Sequence, residues 1–137
     1  MLIDNAIKFW DKKYDLNCAE CILYAANDEY DLNLSKDALK IMASFGGGMS
    51  IEGTCGAATG SLAVIGVMFT NERGHESPIV RELSSEFLRR FDEELETLNC
   101  SELKEKFNDT DRRCTTMIKT AASVLGEIIE RERNNKQ

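Results

Sequence analysis

Apolar residues recur at intervals of three and four along nearly the whole chain, and no run alternates at a period of two. That pattern predicts helices and no sheet. Ile3, Ala6, Ile7 and Trp10 fall on one face of a first helix, and Cys18, Cys21, Ile22 and Ala25 on one face of a second. Ser35 is a favoured cap for a third, with Ala38, Ile41, Met42 and Phe45 facing inward. Gly46-Gly47-Gly48 should stop it, since glycine tolerates the left-handed conformation common just past a helix end. Gly46 to Thr54 reads as a flexible loop. From Cys55 the chain is apolar on more than one face, with Leu62, Val64, Ile65, Val67 and Met68, which predicts a buried central helix. Gly56, Gly60 and Gly66 within it would let neighbouring backbones approach, each at roughly 1 kcal/mol in helix propensity.

Asn71 to Ser77 reads as a polar turn, and Ser77-Pro78 is a strong helix start. Leu83, Phe87, Phe91, Leu95 and Leu98 then recur at helical spacing. A short helix from Cys100 to Phe107 and a turn over Asn108 to Asp111 follow. The last helix presents Cys114, Met117, Ile118, Ala121, Leu125 and Ile128 on one face, before a polar tail from Arg131 to Gln137. The expected architecture is a single helical domain over residues 1–137, all-α, a compact bundle of five or six helices.

Composition narrows the function. Apolar residues make up 42% of the 137 and charged residues 30%, an ordinary globular balance. The net charge of −7 disfavours nonspecific binding to nucleic acid or to an anionic membrane surface. The longest mostly apolar stretch, Cys55 to Phe69, is shorter than the ~20 residues that span a bilayer. Met1 to Trp10, with Asp4 and Lys8, does not read as a signal peptide. A cytoplasmic location is the expectation. Cysteines stay reduced there, and an odd count of five argues equally against a disulfide framework.

The placing of those cysteines is the informative feature. Asn17 precedes Cys18, Thr54 precedes Cys55, Asn99 precedes Cys100, and Asp111 stands three before Cys114. Asn, Thr and Asp are favoured helix caps, so each of the four is expected in the first turn of a helix. A helix N-terminus carries roughly +0.5 of an elementary charge, which favours the thiolate. Buried cysteine also packs as a small hydrophobe, and Cys18 and Cys114 lie on apolar faces that suit that role. The spacing matches no zinc-finger pattern, so the four can meet only through the tertiary fold.

Cys55-Gly56-Ala57-Ala58-Thr59-Gly60 is a Cys-Gly-Ala-x-x-Gly motif behind a glycine-rich loop, with Asn17-Cys18 upstream and Cys100 and Cys114 downstream. In the order and placement of these four cysteines the chain resembles the C-GCAxxG-C-C family of redox-active proteins over nearly its whole length. The resemblance implies a redox role for Cys18, Cys55, Cys100 and Cys114, and related domains are associated with iron–sulfur binding. Cys21 lies outside the family's four.

Three readings follow. The first is a redox protein whose four cysteines do thiol–disulfide chemistry, with Cys55 as the attacking thiolate and Cys18 as its resolving partner. In the second, the same four bind an iron–sulfur cluster or other metal for electron transfer, since four thiolates are its standard complement. The third is a non-enzymatic helical module that binds through an apolar face, as a homodimer for instance. The first two require a redox partner that the sequence does not identify. Cys18-Ala19-Glu20-Cys21 has the spacing of a thioredoxin motif, but no βαβ pattern surrounds it, and Cys21 reads as a core residue. The glycine-rich loop lacks the Gly-Lys-Ser/Thr end of a phosphate loop. His75 reads as a solvated turn residue, and Arg112-Arg113 is a candidate basic patch beside Cys114.

Overall fold

A computed structural model describes residues 1–107 and 114–135. Among these there are seven α-helices and no β-strand: α1 (Leu2–Phe9), α2 (Cys18–Glu29), α3 (Lys36–Lys40), α4 (Gly56–Phe69), α5 (Pro78–Leu95), α6 (Cys100–Lys106) and α7 (Thr115–Asn135). The all-α class is as the periodicity implies, but the expected five or six helices undercount by at least one. No helix among the described residues is long and apolar enough to cross a membrane.

The core lies where α2, α4, α5 and α7 meet. The expected faces of α2 (Cys18, Cys21, Ile22, Ala25), α5 (Leu83, Phe87, Phe91, Leu95) and the last helix (Met117, Ile118, Ala121, Leu125, Ile128) are buried, but Leu98 falls beyond the end of α5 and Cys114 just before α7, and both are only partly buried. Arg131 on α7 grips Glu86 on α5 through two bonds of 2.8 Å, tying these helices together at their rim.

The α2–α4 contact depends on two glycines. A Cβ on Gly60 would lie 2.6 Å from the Ala19 carbonyl oxygen, and one on Gly56 would strike the Cys18 sulfur. Their absence lets the two N-termini lie side by side. Gly66 does not share this role, since a Cβ there would meet nothing within 4 Å. It belongs to an open side of α4, where Val67 is 46% exposed, so the apolar helix is not buried all round.

Other local expectations shift too. On α1 the buried residues are Leu2 and Ala6, while Ile7 is exposed. The third helix is α only to Lys40, then tightens to a 3-10 turn over Ile41–Ser44, which buries Met42 and leaves Ile41 exposed. Ser77 begins α5 with Pro78 at the first position, but its hydroxyl makes no cap bond. It accepts from the Asn71 amide and donates to Glu76.

The segment read as a flexible loop is an organised left-handed turn. Gly47, Gly48, Met49 and Ser50 have φ of 63°, 63°, 59° and 67°, and Glu52 follows at 54°. A left-handed conformation costs a non-glycine residue roughly 1–2 kcal/mol. The turn is secured by Met49 N–H to the Phe45 carbonyl (3.1 Å) and Gly53 N–H to the Gly48 carbonyl (2.8 Å). Gly48 cannot carry a side chain, because its Cβ would lie 2.6 Å from the Cys100 Cβ.

Candidate functional site

The four cysteines expected to act together arrive from four helix ends. Cys18 is the first residue of α2. Asn17 caps that helix, its side-chain oxygen accepting from the Glu20 amide (2.8 Å) while Glu20 accepts from the Asn17 amide (2.9 Å). The Asn17 side-chain amide also donates to the Ala43 carbonyl (3.0 Å), fixing the start of α2 against the 3-10 turn that leads into the glycines. Cys100 is the first residue of α6, capped by Asn99, which accepts from the Glu102 amide (3.2 Å).

The other two stand earlier than expected, Cys55 by one residue and Cys114 by three. Cys55 is itself the cap residue of α4 and makes no side-chain cap bond. Thr54 does not cap, because its backbone is committed elsewhere: it forms an isolated antiparallel bridge with Asn99. Cys55 N–H donates to the Leu98 carbonyl (2.8 Å), and Cys100 N–H to the Gly53 carbonyl (2.5 Å). This one bridge brings the starts of α4 and α6 together. Cys114 immediately precedes α7, and its carbonyl accepts from the Ile118 amide (2.9 Å). The proposed cap Asp111 and the basic pair Arg112-Arg113 lie outside the described residues.

All five cysteines are free thiols. The Cys114 thiol donates a hydrogen bond to the Cys18 sulfur, which also receives the backbone amides of Gly47 and Ala19. These donors outweigh burial and lower the Cys18 pKa to about 6. Cys114 is raised, first by that same hydrogen bond, then by burial and by the charges of Cys18, Cys55 and Cys100. The amide donors fall on Cys18, so Cys18 is the member of the pair that ionises. Cys55 is pushed up to about 12, first by burial and then by the Cys18 charge, although the amides of Ala57 and Ala58 oppose this. Cys18, Cys55 and Cys100 are nearly closed off (5%, 3% and 5% exposed), whereas Cys114 is partly open.

The four sulfurs therefore act on one another. Cys21 is the fourth residue of α2. Its thiol is fully buried and donates to the Ala6 carbonyl (3.3 Å), in keeping with its reading as a core residue. His75 is exposed in the turn before α5.

Sequence reasoning missed two contributors. One is the Gly47 amide, aimed at Cys18 by the left-handed turn. The other is Lys104, whose ammonium pairs with Glu52 (3.1 Å) and would be stabilised by any thiolate formed at Cys100 or Cys114. The spacing Cys100 to Lys104, one helical turn on α6, was the signal available for it. Among the described residues, no three His, Cys, Asp or Glu side chains are placed to hold one metal ion.

A protein-family model described as "Putative redox-active protein (C_GCAxxG_C_C)" matches residues 16–128, a span that includes all four cysteines. No curated protein matches the chain, and no solved structure does. With most of its length matched, the chain belongs to the C-GCAxxG-C-C family.

Proposed function

We propose that this protein is a dithiol redox protein in which Cys18 and Cys114 cycle between two thiols and one disulfide. The observation that carries this reading is the hydrogen bond from the Cys114 thiol to the Cys18 sulfur, with the Gly47 and Ala19 amides on the same sulfur. A thiolate so placed is the nucleophile, and a thiol in contact with it is the resolving partner. The expected roles thus change hands. Cys55 is held protonated by burial and is a poor attacker. Cys18, expected to resolve, is the attacker. Cys55 and Cys100 form the buried side of the cluster. The reducing cytoplasm suits five free thiols.

Mild oxidation of the whole protein with diamide, followed by peptide mapping under alkylating conditions, tests this. The expected product is one Cys18–Cys114 disulfide per chain. A Cys18–Cys55 or Cys18–Cys21 bond in its place, or no intramolecular disulfide, would overturn it.

The iron–sulfur reading keeps the same four residues and rests on their mutual influence, since four cysteines are the donor set of such a cluster. The thiols as arranged do not fit a single metal ion, and no chemical step is derived through a metal. Anaerobically expressed protein separates the readings: brown protein containing iron favours the cluster, and colourless iron-free protein removes it.

A further inference from the structure

The two partners of the proposed couple differ in access, and the order is unusual for a thiol that exchanges with large disulfides. The nucleophile is the enclosed one: Cys18 is 5% exposed, overlain by Gly56 and by the Phe45–Gly47 backbone. The resolving thiol Cys114 is the more open of the two. Attack on a disulfide requires three sulfurs nearly in line, with room for the departing chain. Cys18 offers no such room. A hydroperoxide asks far less, because its reacting oxygens are about the size of water.

Resting on the Cys18–Cys114 couple, we propose that the oxidising substrate of this site is a small hydroperoxide, which reaches the enclosed Cys18 sulfur, and that external thiols reset the site at the more open Cys114. The Cys18 thiolate attacks the terminal oxygen of ROOH. The O–O bond breaks, an S–O bond forms, and RO⁻ leaves and takes a proton from water. Cys18 is now a sulfenic acid, oxidised by two electrons, and the peroxide is reduced to an alcohol, or to water for H₂O₂. The Gly47 and Ala19 amides that face the sulfur remain available to the S–O group. The Cys114 sulfur then attacks the Cys18 sulfur, the S–O bond breaks, and the hydroxyl leaves with the Cys114 proton as water. In the resetting step an external thiolate attacks Cys114, the sulfur within reach, and Cys18 departs as the thiolate. A second external thiol completes the reduction to two protein thiols and an external disulfide. The direction suits the leaving groups, since the thiol of lower pKa leaves faster.

Magnitudes set the threshold for a test. At pH 7 a thiol with pKa about 6 is mostly ionised, against a few per cent for a free thiol near 8.5, a gain of roughly 30-fold. The weaker nucleophilicity of a more acidic thiolate takes back roughly tenfold. Ionisation alone therefore gives a net gain of only about threefold, and anything well beyond that comes from the site.

The experiment uses the whole protein and its Cys114→Ser variant, which keeps a hydroxyl donor beside Cys18. Both are treated at pH 7 with H₂O₂ or with oxidised glutathione, and a sulfenic-acid trap is included for the variant. The expected result has three parts. Cys18 is oxidised by H₂O₂ at least tenfold faster than free cysteine, the trap labels Cys18 in the variant, and oxidised glutathione reacts more slowly with the protein than with free cysteine. Three outcomes would overturn the proposal: glutathione disulfide outpacing H₂O₂, peroxide reactivity no greater than threefold above free cysteine, or label on Cys55 in place of Cys18. Each leaves the diamide-generated Cys18–Cys114 disulfide standing, so the substrate and the couple fail separately.

Discussion

The N-terminus of α2 and the N-terminus of α4 lie side by side and present cysteines to the same cluster, yet their thiols move in opposite directions. Cys18 goes down to about 6 and Cys55 up to about 12. Both benefit from a positive helix end, and both are almost equally enclosed. The difference lies in who donates to the sulfur. Cys18 has a neighbouring thiol and the amide of a remote turn in addition to its own helix. Cys55 has only the first-turn amides of its own helix, and these do not outweigh burial. A helix end thus tilts a thiol toward ionisation, and donors from outside the helix decide whether it gets there.

The largest consequence of this contrast is in stability against pH. Cys18 has a folded pKa below the free value of about 8.5, so between pH 6 and 8.5 the unfolded chain binds more protons and stability rises with pH. Cys55 and Cys114 have folded values above it, so beyond pH 8.5 the folded chain holds protons the unfolded chain has lost, and stability falls. Each group contributes up to about 1.4 kcal/mol per pH unit, and Cys18 about 3 kcal/mol over its window. Urea unfolding under reducing conditions from pH 5.5 to 10 should therefore show a maximum near 8.5. Cys18→Ser should flatten the rising limb and Cys55→Ser should soften the falling one. Identical curves for the two variants would mean that the two helix ends do not differ.

A second, smaller effect tests what holds the ends together. Gly60→Val forces a branched side chain against the Ala19 backbone, where even a Cβ would lie 2.6 Å from the carbonyl oxygen. Neither side of that contact is a flexible side chain, so the helices must separate at a cost of about 2–3 kcal/mol. Gly66→Val, on the open side of the same helix, should be nearly neutral or slightly stabilising by comparison. Equal midpoint shifts for the two in denaturant unfolding would show that the α2–α4 spacing is not set by glycine.

The same contrast marks how far the sequence could be read. The faces of α2, α5 and α7 follow from three- and four-residue spacing, because each packs one stripe on the core. Asn17 and Asn99 were recognisable as caps, because capping is a local contact between a side chain and an amide three residues on. Thr54 was not, because its backbone pairs with Asn99, 45 positions away, and no local rule foretells a bridge of that kind. The all-round apolarity of α4 suggested full burial, but Val67 is exposed and a Cβ on Gly66 would meet open space. Three glycines announced a break after Phe45. They did not announce that Met49, Ser50 and Glu52 would join Gly47 and Gly48 in positive φ, a choice that tertiary contacts impose against local preference. The motif pointed to four cysteines, while the acidity of Cys18 depends on donors far away in sequence, the Cys114 thiol and the Gly47 amide.

The finest test asks whether the thiol donated by Cys114 is what separates Cys18 from Cys55. Cys114→Ala removes that donor and leaves the Gly47 and Ala19 amides in place, whereas Cys114→Ser keeps a hydroxyl at the same position. Hydrogen bonding to the charged form lowers a pKa, so its loss should move Cys18 upward by about one unit in the alanine variant, equivalent to about 1.4 kcal/mol. The serine variant should stay near the parent value, because an O–H donor is at least as strong as an S–H donor. The pH dependence of iodoacetamide alkylation at Cys18, followed by peptide mass, reads the shift directly. If alanine and serine leave Cys18 equally acidic, the amides alone hold the thiolate. The contrast between the two helix ends would then rest on the left-handed turn that brings Gly47 to one sulfur, with no contribution from the contact between thiols.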